Sequence, residues 1–364
     1  MNARSVSAGL HRLLEIRGWD QVDHFGPFVR FQAPNSCGLP EDFRLLLPED
    51  PTASGAEDQM LRSIALIAEV HRVDQEDLFV ALSENATVFS TRVRDDAASG
   101  GSLPLDRFES LVDRLRKVCL TAASSILTDD PLDEGDSPDA REFVSQCSFL
   151  QTRIGSFESR ITIPNDFQLG RRLERPEGVP ATAATNRIRT TLSTVFDDIV
   201  PQRQYIYERE FIDRLSGFVH IPLLRNVALL LRDAAFRSYE FRFVGADEQT
   251  TIEPQPVTRR DIDNVYGYVR FLRDKLASGI SINVAGKVTE LRSQDIKSSN
   301  NHVRVRGYDL SDRREMELAL SLGRAGYIDA VTAHGRGQTV HVVGVARRLQ
   351  SYYRVDDLQL FELA

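Results

Sequence analysis

From Ile280 onward the apolar residues of this chain stop recurring every three or four positions and begin to alternate. Sustained over roughly 85 residues, that change of period directs the C-terminal quarter into a small strand-rich domain. Residues 282–292 (INVAGKVTELR), 302–309 (HVRVRGYD) and 314–321 (REMELALS) read as three strands. The next segment, 323–335 (GRAGYIDAVTAHG), is compatible with a helix, with Tyr327, Ile328, Ala330, Val331 and Ala333 available to plug one end of a barrel. Residues 339–349 (TVHVVGVARRL) and 355–363 (VDDLQLFEL) supply two more strands. Gly286 and Gly344 lie inside strands, where a missing side chain lets a strand bend around a barrel corner.

Three strands, a helix and two further strands, with the phrases GKV and VVGVARR at the glycines, resemble the order of an OB-type barrel. The resemblance covers residues 279–364. It implies a five-stranded barrel whose ligand face spans the second and third strands between the first and last interstrand loops. Those places hold Arg304 and Arg306 on the second strand, opposite in facing to Val303 and Val305, and Lys297 in the first loop. The last loop and its flanks hold Arg347, Arg348, Tyr352, Tyr353 and Arg354. Arginine suits phosphate, and tyrosine stacks on unpaired bases for about 1–3 kcal/mol per base. These eight residues are the expected nucleic-acid contacts, with single strands favoured. Such barrels also serve in protein docking, so a protein partner or a second copy is the alternative.

Charge weighs on this reading. The chain has 364 residues and a net charge of −8, which argues against coating a nucleic acid or an anionic membrane by bulk electrostatics. From Ile280 to the end, twelve Lys and Arg stand against ten Asp and Glu, so this segment is only weakly basic. Upstream, an amphipathic helix at 57–71 and another at 105–126, with strands at 28–31, 43–47 and 87–94, predict an α+β N-terminal domain over 1–127. Residues 128–139 (TDDPLDEGDSPD) are acidic and rich in Pro and Gly, the composition of a linker or exposed loop. Residues 140–278 read as a mainly helical middle domain, with helices expected at 140–150, 185–200, 211–218, 221–235 and 259–276 and strands at 156–163 and 239–244. The expected class is therefore α+β and multidomain, ending in an OB-like barrel.

No local signature of catalysis emerges. The seven histidines include no HExxH pair, and three scattered cysteines suit buried free thiols in a reducing compartment rather than a zinc site. The acidic pairs Asp95–Asp96, Asp129–Asp130, Asp197–Asp198 and Asp356–Asp357 lack the strand placement and lysine of a metal-dependent nuclease. The glycines at 99–102 lack a P-loop lysine, and Ser156 lacks the second glycine of a nucleophile elbow. No secretory leader or membrane span is read, so a cytoplasmic location is expected. These features predict a non-enzymatic nucleic-acid-binding or adaptor subunit without metal or cofactor. The expected setting is a larger bacterial assembly such as DNA repair, replication or phage defence. An oligomerising scaffold is the alternative.

Overall fold

A computed structural model describes residues 3–94, 102–151, 157–170, 177–201, 220–234, 238–245, 249–253, 258–296, 301–311, 313–349 and 351–364. The expected helix at 211–218, Asp95–Asp96, Ser156, most of the glycine loop at 99–102, and Lys297 lie outside the described residues. The architecture is α+β with a closed C-terminal barrel. By internal contacts the chain divides into two compact units. One comprises residues 1–127, 136–198 and 226–262, and the other 128–135, 199–225 and 263–364.

The first unit begins with α1 (Ala3–Ile16), then β1 (Asp20–Phe25), β2 (Phe28–Gln32) and β3 (Arg44–Pro48). Leu10, Leu13 and Leu14 form the buried stripe of α1, which stops at Gly18 in the left-handed region that glycine tolerates. The three strands form an antiparallel meander. After them come α2 (Ala56–His71) and α3 (Gln75–Glu84). Sequence periodicity did not mark α3. It is held by Asp74, whose side chain accepts the Asp77 backbone N–H at 3.0 Å, and it ends at Asn85 in a left-handed conformation. Its residues Leu78 and Leu82 join α1, α2 and the meander in one core.

The chain continues through β4 (Ala86–Arg94), α4 (Leu105–Leu127), α5 (Pro138–Gln146), β5 (Ser148–Leu150) and β6 (Phe157–Pro164). Short strands β7 (Gln168–Leu169) and β8 (Val179–Pro180) precede α6 (Thr182–Ser193), and α7 (Ile221–Ala234) leads to β9 (Ser238–Val244) and β10 (Gln249–Ile252). The main sheet has the order β10-β9-β4-β6-β5, antiparallel throughout. This corrects the expected separation of 1–127 from 140–278. β4 is the sheet's central strand, and its partners β6 and β9 come from the middle of the chain. Strand partners so distant in sequence leave no local pattern, so a composition break between them is no fold boundary.

The two faces of this sheet differ chemically. Phe89, Phe241 and Phe243 share one face, with Phe89 and Phe243 stacked at 4.6 Å between ring centroids. Alternation places Arg92, Glu158, Arg160, Glu240 and Arg242 on the other. There Arg160 is 1% exposed and Asp77 of α3 is fully buried. Arg160 Nε donates to Asp77 Oδ1 at 2.8 Å and Nη1 donates to Glu76 Oε1 at 3.0 Å.

In the second unit, α8 (Arg259–Ser278) runs into the barrel, formed by β11 (Ile280–Arg292), β12 (Asn301–Asp309), β13 (Glu315–Leu322), β14 (Thr339–Arg348) and β15 (Tyr353–Leu363). α9 (Arg324–Arg336) connects the third barrel strand to the fourth. The barrel closes in the order β11-β12-β13-β15-β14, with β13 and β15 parallel and the other pairs antiparallel. A closed five-stranded barrel with a helix after the third strand is consistent with the expected OB-like form.

Val284, Val303, Val305, Leu318, Leu320, Val340 and Val342 fill the barrel. Gly286 opposes Gly307 across β11 and β12, and a Cβ on Gly307 would lie 2.2 Å from the Ala285 carbonyl oxygen. The two strands approach this closely because both residues are glycine. The plug on α9 is narrower than expected. Tyr327, Ala330 and Ala333 are buried, whereas Ile328 and Val331 are 46% and 45% exposed, because three-residue steps keep only the first set on one stripe. Among the described residues, no helix is long and apolar enough to cross a membrane.

Candidate functional site

The strand period decides what the barrel presents. On β12, Val303 and Val305 point inward, leaving His302, Arg304 and Arg306 on the outer face. Arg304 pairs in register with Glu290 of β11 and Ala319 of β13. Beside it opens a groove of 520 Å³ lined by β11, β12, β13 and the start of β15, with Arg304, Tyr352 and Arg354 in its wall. Glu290, Arg292, His302 and Asp356 complete its charged lining. Of the eight expected contacts, the structure thus brings three together in one concavity.

Their electrostatics differ from the expectation. Arg304 donates from Nη1 to Glu317 Oε1 at 2.6 Å, and its Nε lies 3.2 Å from Glu290 Oε2. The hydrogen bond to Glu317 holds its guanidinium pKa above the usual value. Arg306 donates to Glu315 Oε1 at 2.7 Å and is held up in the same way. The Arg304 guanidinium also lies over the Tyr352 ring, 4.4 Å from the centroid, a cation–π contact that orients both groups. Burial, and then the negative charge of Asp129, raise the Tyr352 hydroxyl pKa against the opposing pull of Arg304.

Arg347 and Arg354 are directly opposed on β14 and β15, a pairing of like charges that costs stability unless neutralised. Two carboxylates do this. Arg347 reaches Asp130 at 3.0 Å and Asp356 at 3.4 Å, and Arg354 reaches Asp356 at 2.9 Å and Asp130 at 3.9 Å. Asp130 comes from the acidic segment expected to be a linker or exposed loop. Residues 128–135 have neither helix nor strand and are mostly half-exposed or exposed, as a loop is, but they group with the barrel unit rather than standing free between domains. The Pro131 carbonyl accepts the Ile221 N–H at 2.8 Å, and Arg225 binds Glu134, so backbone and charge both fasten the segment.

Tyr353 does not join the open face. It is 3% exposed and part of the barrel core, with the Arg348 guanidinium 4.7 Å from its ring centroid. The signal was present in the sequence, since stepping back two positions from inward-leaning Val355 reaches Tyr353 rather than Tyr352. The neutralising acids Glu290, Glu315 and Glu317 were not assigned to the site. Register alone brings them beside the arginines.

Among the described residues, no group of three or more His, Cys, Asp or Glu is arranged to hold a metal ion. Comparison with protein-family models, curated proteins and solved structures finds no match to this chain.

Proposed function

We propose that the chain is a non-enzymatic binding or adaptor subunit whose C-terminal barrel takes a short single-stranded nucleic-acid segment across β12 and β13. The observation that supports this reading is the groove flanked by the Arg304–Tyr352 stack, at the place where OB-like barrels carry their ligands. Tyr352 offers a partly exposed ring for a base, while Arg304 and Arg354 reach toward the strand that carries it.

The ion pairs set how such a ligand binds. Exposed pairs such as Arg306–Glu315 contribute at most about 1 kcal/mol each, so an arginine can exchange its carboxylate for a phosphate. The released carboxylate stays nearby, however, and little net positive charge is gained. Affinity therefore comes mainly from stacking, and the salt dependence is shallow. With one or two phosphates neutralised, the slope of log K against log salt is about −0.7 to −1.4 for a single strand.

Fluorescence anisotropy with single- and double-stranded oligonucleotides at low salt tests this. Binding should favour single strands, and Tyr352→Ala should weaken it about 5- to 150-fold. Arg304→Glu with Arg306→Glu should abolish it. No binding at low salt, or full affinity in the double variant, refutes the nucleic-acid reading. A scaffold whose barrel docks a protein is the second reading. The specific observation in its favour is the carboxylate pairing of Arg304, Arg306, Arg347 and Arg354, which leaves a charge-balanced face. Self-association or partner capture through Tyr352, with no oligonucleotide affinity, is its expected signature.

A further inference from the structure

Two arginines beside the barrel groove are held by a carboxylate that comes from outside the five strands. Arg347 and Arg354 face each other across β14 and β15, and Asp356, on β15 itself, reaches them at 3.4 and 2.9 Å. One carboxylate against two guanidinium groups leaves one formal positive charge at the edge of the groove, whose wall includes Arg354 and Asp356. Asp130 cancels it. Its Oδ2 lies 3.0 Å from Arg347 Nη2 and 3.9 Å from Arg354 Nη2, so a single oxygen is shared between two guanidinium groups, as an oxygen of a bound phosphate is.

Local bonds aim this oxygen. The Asp130 N–H donates to Thr128 Oγ1 at 3.1 Å and the Leu132 N–H donates to Asp130 Oδ1 at 3.0 Å, which leaves Oδ2 to the arginines. Residues 128–135 form no helix or strand, so no regular backbone pairing keeps Asp130 on the barrel. Arg354 is 45% exposed, and an ion pair so placed is screened by salt and open to exchange with another anion. The neighbouring acid acts on the tyrosine. Burial raises the Tyr352 hydroxyl pKa, and the next contribution comes from the negative charge of Asp129. Tyr352 itself is fixed at the groove by its carbonyl, which accepts the Leu349 N–H at 2.8 Å. One acidic segment thus bears on both kinds of group through which the barrel would take a nucleic acid.

We infer that residues 128–135 are an autoinhibitory strap, in which Asp130 takes the place of a phosphate on Arg347 and Arg354 until a nucleic-acid strand displaces it. The inference rests on the nucleic-acid reading of the barrel and supplies the regulation of that site. Being tethered, the carboxylate competes at the effective concentration of a short intramolecular link, about millimolar. A strand that meets only Arg347 and Arg354 loses this competition. One that also stacks on Tyr352 and reaches Arg304 gains contacts the strap does not offer, and it wins.

Fluorescence anisotropy of the full chain with a single-stranded oligonucleotide, taken across a salt series, tests the strap. Asp130→Asn keeps the shape of the turn and an acceptor for the Leu132 N–H, and removes the charge. It should tighten binding about tenfold and steepen the salt slope by about 0.7, the value for one further phosphate contact on a single strand. Asp133→Asn removes an equal charge from the same segment, at a carboxylate that accepts the Gly135 N–H, and should leave affinity unchanged. Glu134→Gln loosens the strap from Arg225 and should tighten binding by a smaller factor than Asp130→Asn. Equal affinity in the unaltered chain and Asp130→Asn overturns the strap and leaves the ligand reading standing. An equal gain in Asp133→Asn also overturns it, since net charge alone then suffices. If Asp130→Asn fails to fold, unchanged affinity in Glu134→Gln overturns it. Absence of binding in both the unaltered chain and Asp130→Asn overturns the ligand reading, and the strap with it.

Discussion

Replacing Asp77 with leucine should expose how much the first unit depends on one buried charge. The carboxylate is fully buried, and Arg160 opposite it is 1% exposed, with 2.7 Å between Asp77 Oδ1 and Arg160 Nη2. Glu76 is the other acid on Arg160, but its side chain is 61% exposed and holds only Nη1. Removing Asp77 therefore strands a guanidinium away from water, which costs about 3–5 kcal/mol. At about 1.4 kcal/mol per decade, the folding equilibrium falls between roughly a hundredfold and a few thousandfold. The helix cap is untouched, because Asp74 caps through the backbone N–H of residue 77. Urea unfolding read through Trp19 emission measures the loss within this unit. Pairing Asp77→Leu with Arg160→Met removes both charges and should recover most of the stability. A loss below about 1 kcal/mol in the single variant, or no recovery in the pair, would refute the reasoning.

Trp19 Nε1 donates to His71 Nε2 at 3.2 Å, and burial, then Arg17, lower the His71 pKa below its usual 6.5. Neutral His71 is thus favoured in the folded state. Its contribution is complete above pH 6.5 and is lost as pH falls from there toward the folded value, so Trp19 emission should titrate with a midpoint below 6.5. A midpoint at or above that value contradicts the assignment. Gly307→Ala forces a Cβ to within 2.4 Å of Gly286 Cα and should cost about 3 kcal/mol, seen as faster hydrogen exchange along β11 and β12. Glu290→Gln with Glu317→Gln releases Arg304 from both carboxylates. It should raise single-strand affinity at low salt several-fold and steepen the salt slope. Unchanged affinity would remove Arg304 from the contact set.

The barrel was legible because its determinants are local. Alternation at 302–309 and 339–349 marks β12 and β14 to within a residue, and the helix expected at 323–335 is displaced by one. Arg304 and Arg306 face outward for the same reason: parity along a strand is a property of the chain itself. Several features escaped, among them β1, β10 and the strand β5 inside the helix expected at 140–150. α3 carries a weak apolar stripe and a cap whose effect depends on a single aspartate. Tyr353 lies in the same loop segment as Tyr352, but as the first residue of β15 it turns into the barrel core. Ile328 and Val331 are apolar but out of helical phase with the buried stripe of Tyr327, Ala330 and Ala333, so composition alone does not place them.

What the sequence determined by itself was period: it marks most of the longer strands and helices, and along β12 it gives the parity that turns Arg304 and Arg306 outward. What only the tertiary structure decided was pairing. β4 meets β6 and β9 across distances at which chain entropy leaves no local trace, joining two stretches that composition separates. Asp130 reaches Arg347 and Arg354 from more than two hundred positions away and turns an apparent linker into part of the barrel unit. The same holds for the charge of the candidate face. By composition the segment from Ile280 is weakly basic, but Glu315 and Glu317 on the neighbouring strand and Asp130 from a distant loop balance its arginines, because Coulomb energy follows distance in space and not position in the chain.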